Sequence, residues 1–227
     1  MQEHQDRQGP ASNALLTLLT IGTGAVDATS ILSAERVFSS VNTGNLVLLG
    51  AAAGWHGPAL GAGVAVAAYA AGVASGARIR KEPAGRAGLW PRAVMLTLTI
   101  ELAVLAGFSV VWELVHTRPG AWHALLLALL AGAMGLQSVA VRKLGGVSTT
   151  YLTGTMTAFV AGLVSGESRD RSLRSLVLLV SITAGAALGA LVLHLDPVLT
   201  PLVLAGPLAI VVVVATIRSR QPSASSV

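Results

Sequence analysis

Residues 14–54 read ALLTLLTIGTGAVDATSILSAERVFSSVNTGNLVLLGAAAG. Ala14 to Ala34 form an uncharged run broken only by Asp27. About 20 such residues make a helix that crosses roughly 30 Å of hydrocarbon. The run is too long for the apolar core of a signal peptide, so it reads as a retained first span. The run that follows, about 37–54, is shorter. Its first half, Ser39-Ser40-Val41-Asn42-Thr43-Gly44-Asn45, is polar. Whether that second run crosses the bilayer or turns back inside it decides the fold.

Working outward, six more apolar segments follow. A and B are the two above. C covers about 58–79, D about 91–115, E about 121–141, F about 147–165, G about 173–195 and H about 198–217. F resembles B, with a polar first half from Ser148 to Thr155. Across all 227 residues, 53% are hydrophobic and 11% charged. A soluble domain carries about 25% charged residues, so this chain has too little polar surface to coat a water-soluble globule. The expected fold class is all-α, a polytopic helical membrane protein. A single transmembrane domain is expected over 14–217, between polar tails at 1–13 and 218–227.

The formal net charge of +5 does not point to nucleic acid. The basic residues sit in short segments between apolar runs, where cytoplasmic loops collect them, and no stretch interleaves them with aromatic residues as a single-strand-binding surface does. Cysteine is absent, which removes thiolate metal sites and a cysteine nucleophile. No histidine pair has metal-ligand spacing, so no metal or cofactor is expected. No P-loop or nucleophile elbow stands on a suitable scaffold, and no enzyme activity is expected.

The chain repeats itself. A slide of 110 residues lays Gly22 on Gly132, Asp27 on Gln137, Thr43-Gly44 on Thr153-Gly154 and Asn45 on Thr155. Three further residues of offset lay Ala71–Ala77 on Ala184–Ala190, matching at five of seven positions. The halves are about 14–115 and 121–217. Charge then sets topology. If all eight segments cross, Lys and Arg divide almost evenly between the two sides. If B and F turn back, 13 of the 15 basic residues share one side, leaving Arg36 and Arg118 on the other. The positive-inside rule favours the second arrangement: six spans, two re-entrant or broken segments, and both termini cytoplasmic. Three spans per half make the repeat inverted, as in many secondary transporters. Eight full spans in two parallel repeats is the alternative.

An acid at the centre of a span usually faces the bundle interior or a watery cavity. Asp27 is therefore a candidate proton carrier, cation site or solute ligand. Asn42, Thr43, Gly44 and Asn45 are read as a helix break, with Gly44 permitting the turn and the polar residues capping a helix that starts near Leu46. Its N–H groups would suit an anion or polar solute. Thr153, Gly154 and Thr155 repeat the pattern, and the two tips are expected to meet near the midplane. Glu101 is the other acid inside a span. Gln137 lines the same interior in this reading. Gly72/Gly76 and Gly185/Gly189 are small-residue pairs for close helix packing. Trp55, Trp90, Trp112 and Trp122 fall where interfacial anchors would.

Gly24-Ala25-Val26-Asp27-Ala28, Phe38, Asn42-Thr43-Gly44-Asn45 and Val47-Leu48-Leu49-Gly50 resemble the YoaK-like family of bacterial membrane proteins (domain of unknown function 1275). The resemblance implies a multi-pass protein of the bacterial inner membrane and singles out Asp27 and Asn42 to Asn45. The resemblance brings no substrate or reaction; from the inverted repeat and the polar groups at span centres the expectation is a secondary transporter or permease for a small polar or anionic solute, with protons as coupling partner and the lipid bilayer as surroundings. A passive channel and a non-transporting membrane partner are the other readings. Oligomeric state is not readable.

Overall fold

A computed structural model describes residues 10–34, 36–54, 57–79, 91–115, 120–143, 152–166 and 168–220. Among these residues the secondary structure is helical, with no strand. In lipid the backbone has no water to bond, so long apolar runs satisfy their N–H and C=O groups internally. The helices are α1 (Pro10–Ser33), α2 (Asn42–Ala51), α3 (Ala59–Arg78), α4 (Arg92–Leu114), α5 (Gly120–Lys143), α6 (Leu152–Ser165), α7 (Arg169–Leu195) and α8 (Thr200–Arg220). A short 3-10 turn, Pro197–Leu199, leads into α8.

Six of these helices have the length and composition to cross a membrane. The other two do not. At 1.5 Å rise per residue, α2 is roughly 15 Å long and α6 roughly 21 Å, against a hydrocarbon thickness of about 30 Å. Ala34, just past α1, packs with Val37, with Ala62 and Ala65 of α3, and with Leu127 and Ala131 of α5. Ala34, Leu60, Gly61, His123 and Ala124 also line one small cleft. The end of α1 and the starts of α3 and α5 therefore share one face of the bundle. At the opposite face, Lys143 Nζ at the end of α5 donates to Gly76 O at 2.9 Å and Ile79 O at 3.1 Å, at the end of α3.

The direction of α7 follows from its contacts with α1. Gly185 meets Ile21 and Gly189 meets Ala25, so α7 runs parallel to α1 and starts at the face where α5 ended. Trp112 Nε1 donates to Pro197 O at 2.9 Å, joining the end of α4 to the start of α8. Segment B thus leaves one face and returns to it, and F does the same at the other. The arrangement of eight full spans is overturned, because eight crossings would make α1 and α3 run in the same direction, whereas α1 ends at the face where α3 starts.

Charge follows this geometry. Arg78, Arg92, Arg142, Lys143, Arg169, Arg171, Arg174, Arg218 and Arg220 all lie at the face holding the start of α1. Among the described basic residues only Arg36 lies at the other. Arg118, Glu35, Trp55, Trp90 and the polar residues Ser148 to Tyr151 fall outside the described residues. Trp112 is no interfacial anchor, since it is buried and stacked on Phe108 with ring centroids 5.5 Å apart. Trp122 is part-exposed at the start of α5.

The inverted repeat is visible in the closest helix approaches. α1 packs along α7 as α3 packs along α5. A Cβ on Gly24 would collide with Ile182 O and Ala186 N, and one on Gly135 with Tyr69 O and Val73 N. A Cβ on Gly185 would meet Ile21 O, and one on Gly72 would meet Gly132 O. Each contact becomes its counterpart by the same offsets: 111 between Gly24 and Gly135, 113 between Tyr69 and Ile182 and between Gly72 and Gly185. The packing register in α1 and α5 is therefore one residue longer than the 110 suggested by residue identity. In this register Asp27 corresponds to Ser138, not to Gln137.

Candidate functional site

After Ser33 the chain does not run on as helix. Arg36 takes a φ of 60°, the left-handed region that side chains other than Gly rarely occupy. Residues 37–41 then fold back along α1. Asp27 sits two turns before the end of α1, 7% exposed, and receives that loop. Its Oδ1 accepts from Ser39 N at 3.1 Å, Ser39 Oγ at 2.9 Å and Ser40 N at 2.8 Å. Its Oδ2 accepts from Ser40 Oγ. Four donors, two of them backbone N–H groups, replace the water that a carboxylate loses on entering the membrane.

The asparagines complete the tie. Asn45 Oδ1 accepts from Phe38 N at 3.2 Å, and its Nδ2 donates to Phe38 O at 2.7 Å. Asn42 Nδ2 donates to Ser40 O at 3.2 Å. The side chains of a helical turn thus stand in for the ladder partners that the extended segment 38–40 lacks. Thr43 is exposed and makes no part of the tie.

This corrects the reading of the break. The helix starts at Asn42 rather than near Leu46, its N-cap is Val41, and no side chain caps it. Gly44 lies within α2 and has no positive φ. The turn is made upstream, by Arg36 and the Asp27-bound serines. Ser39 and Ser40 are the residues that sequence reasoning passed over. The available signal was a pair of hydroxyls facing an acid that otherwise has no partner within reach.

The second half is different. Thr153 and Gly154 are exposed at the start of α6, while Thr155 is buried with a hydroxyl that has no hydrogen-bond partner. α6 packs on α7 as α2 packs on α3. Among the described residues the two short helices do not pack extensively on each other; the start of the F tip, Ser148 to Tyr151, lies outside them. Gln137 does face the interior. Its Nε2 donates to Thr23 Oγ1 at 2.7 Å and bridges α5 to α1. Ser138, the register partner of Asp27, bonds Tyr69 Oη at 2.6 Å.

Glu101 stands apart from all of these. It lies near the middle of α4, is 0% exposed, and neither carboxylate oxygen has a hydrogen-bond partner. Among the described residues no group of three acidic, histidine or cysteine side chains could hold a metal.

Similarity to known proteins agrees with the architecture. A family model described as a protein of unknown function (DUF1275) matches residues 15–215. The UPF0700 transmembrane protein YoaK of Bacillus subtilis (strain 168) is 33% identical over 187 residues, covering 74% of this chain and 78% of that protein. No solved structure matches. With the family match running from α1 into α8, the chain belongs to the YoaK-like DUF1275 family of multi-pass helical membrane proteins.

Proposed function

We propose that this protein is a secondary transporter of the bacterial inner membrane that carries a small polar or anionic solute. The observation that supports it is the inverted arrangement: two short helices that enter from opposite faces, each packed on a half of related design. Such scaffolds alternate access by moving one half against the other around a central site. The face rich in Lys and Arg is assigned to the cytoplasm, with both termini there. Solute contact is assigned to the α6 tip at Thr153, Gly154 and Thr155, where the Thr155 hydroxyl has no hydrogen-bond partner, and to the Gln137–Thr23 bridge behind it. Asp27, Asn42 and Asn45 spend their polar atoms on holding α2 in place. No reaction chemistry is assigned to the chain.

Proteoliposomes enclosing a pH-sensitive dye test the reading. Pools of small carboxylates, amino acids, phosphate and sulfate are added outside. A transporter gives saturable, solute-dependent uptake that a proton gradient drives above equilibrium. Uptake that never saturates and only runs downhill would identify a channel. No difference from protein-free vesicles across all pools would overturn the proposal. Orientation is read separately from single cysteines, since the chain has none of its own. A membrane-impermeant thiol reagent applied to cells should reach Gly54→Cys and Asp196→Cys but not Arg78→Cys or Ser168→Cys.

A further inference from the structure

We infer that Glu101 is a proton-binding site, a mid-membrane carboxyl that takes up and releases one proton as the helices around it rearrange. Its coupling role rests on the transporter reading; the proton exchange itself does not.

Glu101 continues the stripe of α4 that carries Val94, Leu98, Leu105 and Phe108 into the main core. α4 packs against α5 and α8. The ionisable residues of those elements lie at their ends. On α5 these are His123 at one end and Arg142 and Lys143 at the other. On α8 they are Arg218 and Arg220, and on α4 itself Arg92 and Glu113. Arg92 is nine residues away, roughly 13 Å along the axis. Asp27 on α1 is occupied by Ser39 and Ser40. Among the described residues no counter-charge therefore meets Glu101, and a side chain with 0% exposure does not snorkel to the interface.

The chemistry then selects the ligand. A metal cation needs several oxygen ligands, and no acidic or histidine cluster supplies them among the described residues. The hydroxyl of Thr97, one turn earlier, already donates to Ala93 O at 2.7 Å. A proton needs one carboxyl. Binding it neutralises the group that the closed bundle cannot otherwise accommodate, and releasing it requires the helices to admit water. Proton occupancy and the open state are therefore linked. A buried polar group without a partner would be better replaced by an apolar one if it served packing alone.

Infrared spectroscopy of the purified protein in lipid tests this without a solute. The expected result is a carboxylic-acid carbonyl band that shifts on transfer to deuterium oxide and is lost in Glu101→Gln. In Glu101→Asp the band moves but persists, which separates loss of the acid from loss of the fold. Dicyclohexylcarbodiimide, a reagent for protonated carboxyls in apolar surroundings, should modify Glu101 in wild-type protein, as located by peptide mass spectrometry. A wild-type spectrum in which no band depends on Glu101 would overturn the inference. So would a Glu101 band that never shifts in deuterium oxide, since that carboxyl would be sealed from exchange. A positive result with no uptake of any solute would leave the proton site standing and remove the transporter.

Discussion

Asp27 and Glu101 are both acids within membrane spans, and both are buried, at 7% and 0% exposure. Their surroundings are opposite. Asp27 accepts from four donors of Ser39 and Ser40, whereas both oxygens of Glu101 are bare. The first acid is solvated by its own chain. It exchanges bulk water for a turn of backbone, and the exchange pins a re-entrant segment to α1. The second acid has no hydrogen-bond partner for either oxygen. An intramembrane acid is therefore not one kind of signal: one can build the scaffold while another is left without a partner in it.

The largest effect expected from this contrast is on Asp27. Asp27→Ala would leave two buried N–H groups and two hydroxyls without an acceptor. Each buried donor left unsatisfied costs about 1–3 kcal/mol, so the variant, with four of them, should unfold far below wild type in thermal melts followed by circular dichroism in detergent. A change of less than about 1 kcal/mol would mean that water or lipid headgroups reach the loop. Next in size is Asn45→Ala. It removes both bonds to the backbone of Phe38 and should lose about 2 kcal/mol at roughly 1 kcal/mol per bond. If Asn45→Ala costs as much as Asp27→Ala, the tie fails as a unit rather than bond by bond.

Glu101→Met should go the other way. With no partner to orphan, an apolar side chain of similar volume removes a buried polar group and should raise stability by about 1 kcal/mol. The same melt reads it. A loss comparable to that of Asp27→Ala would show that Glu101 has a partner after all and would merge the two acids into one class.

Much of this architecture was legible in the sequence for physical reasons. Span length, the short polar-headed segments and the placement of Lys and Arg are all set by the bilayer, and each leaves its mark on composition. The register of the repeat was not. Ala and Gly recur so often in these helices that an offset of 110 and one of 111 look alike, until the backbone contacts of Gly24 and Gly135 separate them. Nor was the role of Asp27. A lone acid between apolar residues reads the same whether its partners are a proton, a solute or two serines twelve and thirteen positions on. That the side chains of Asn42 and Asn45 bond backbone was hidden likewise, because their bonds reach back to residues that precede the helix.

The smallest expected effect is the sharpest test of how far the contrast extends, because it carries the comparison to the second re-entrant helix. α2 is tied through Asp27 and Asn45. Among the described residues α6 has no comparable tie, and Thr155 is buried with its hydroxyl unpaired. Thr155→Val keeps the shape and removes the hydroxyl. Side-chain hydrogen bonds within membranes average about 0.6 kcal/mol in bacteriorhodopsin. An engaged hydroxyl should therefore lose stability by about that much, and an unengaged one should leave it unchanged or gain up to about 0.5 kcal/mol. Stability within that second range, together with weakened solute uptake, would place Thr155 with Glu101, as a group the fold leaves open. A loss near 0.6 kcal/mol would place it with Asp27, and the two re-entrant helices would then be held alike.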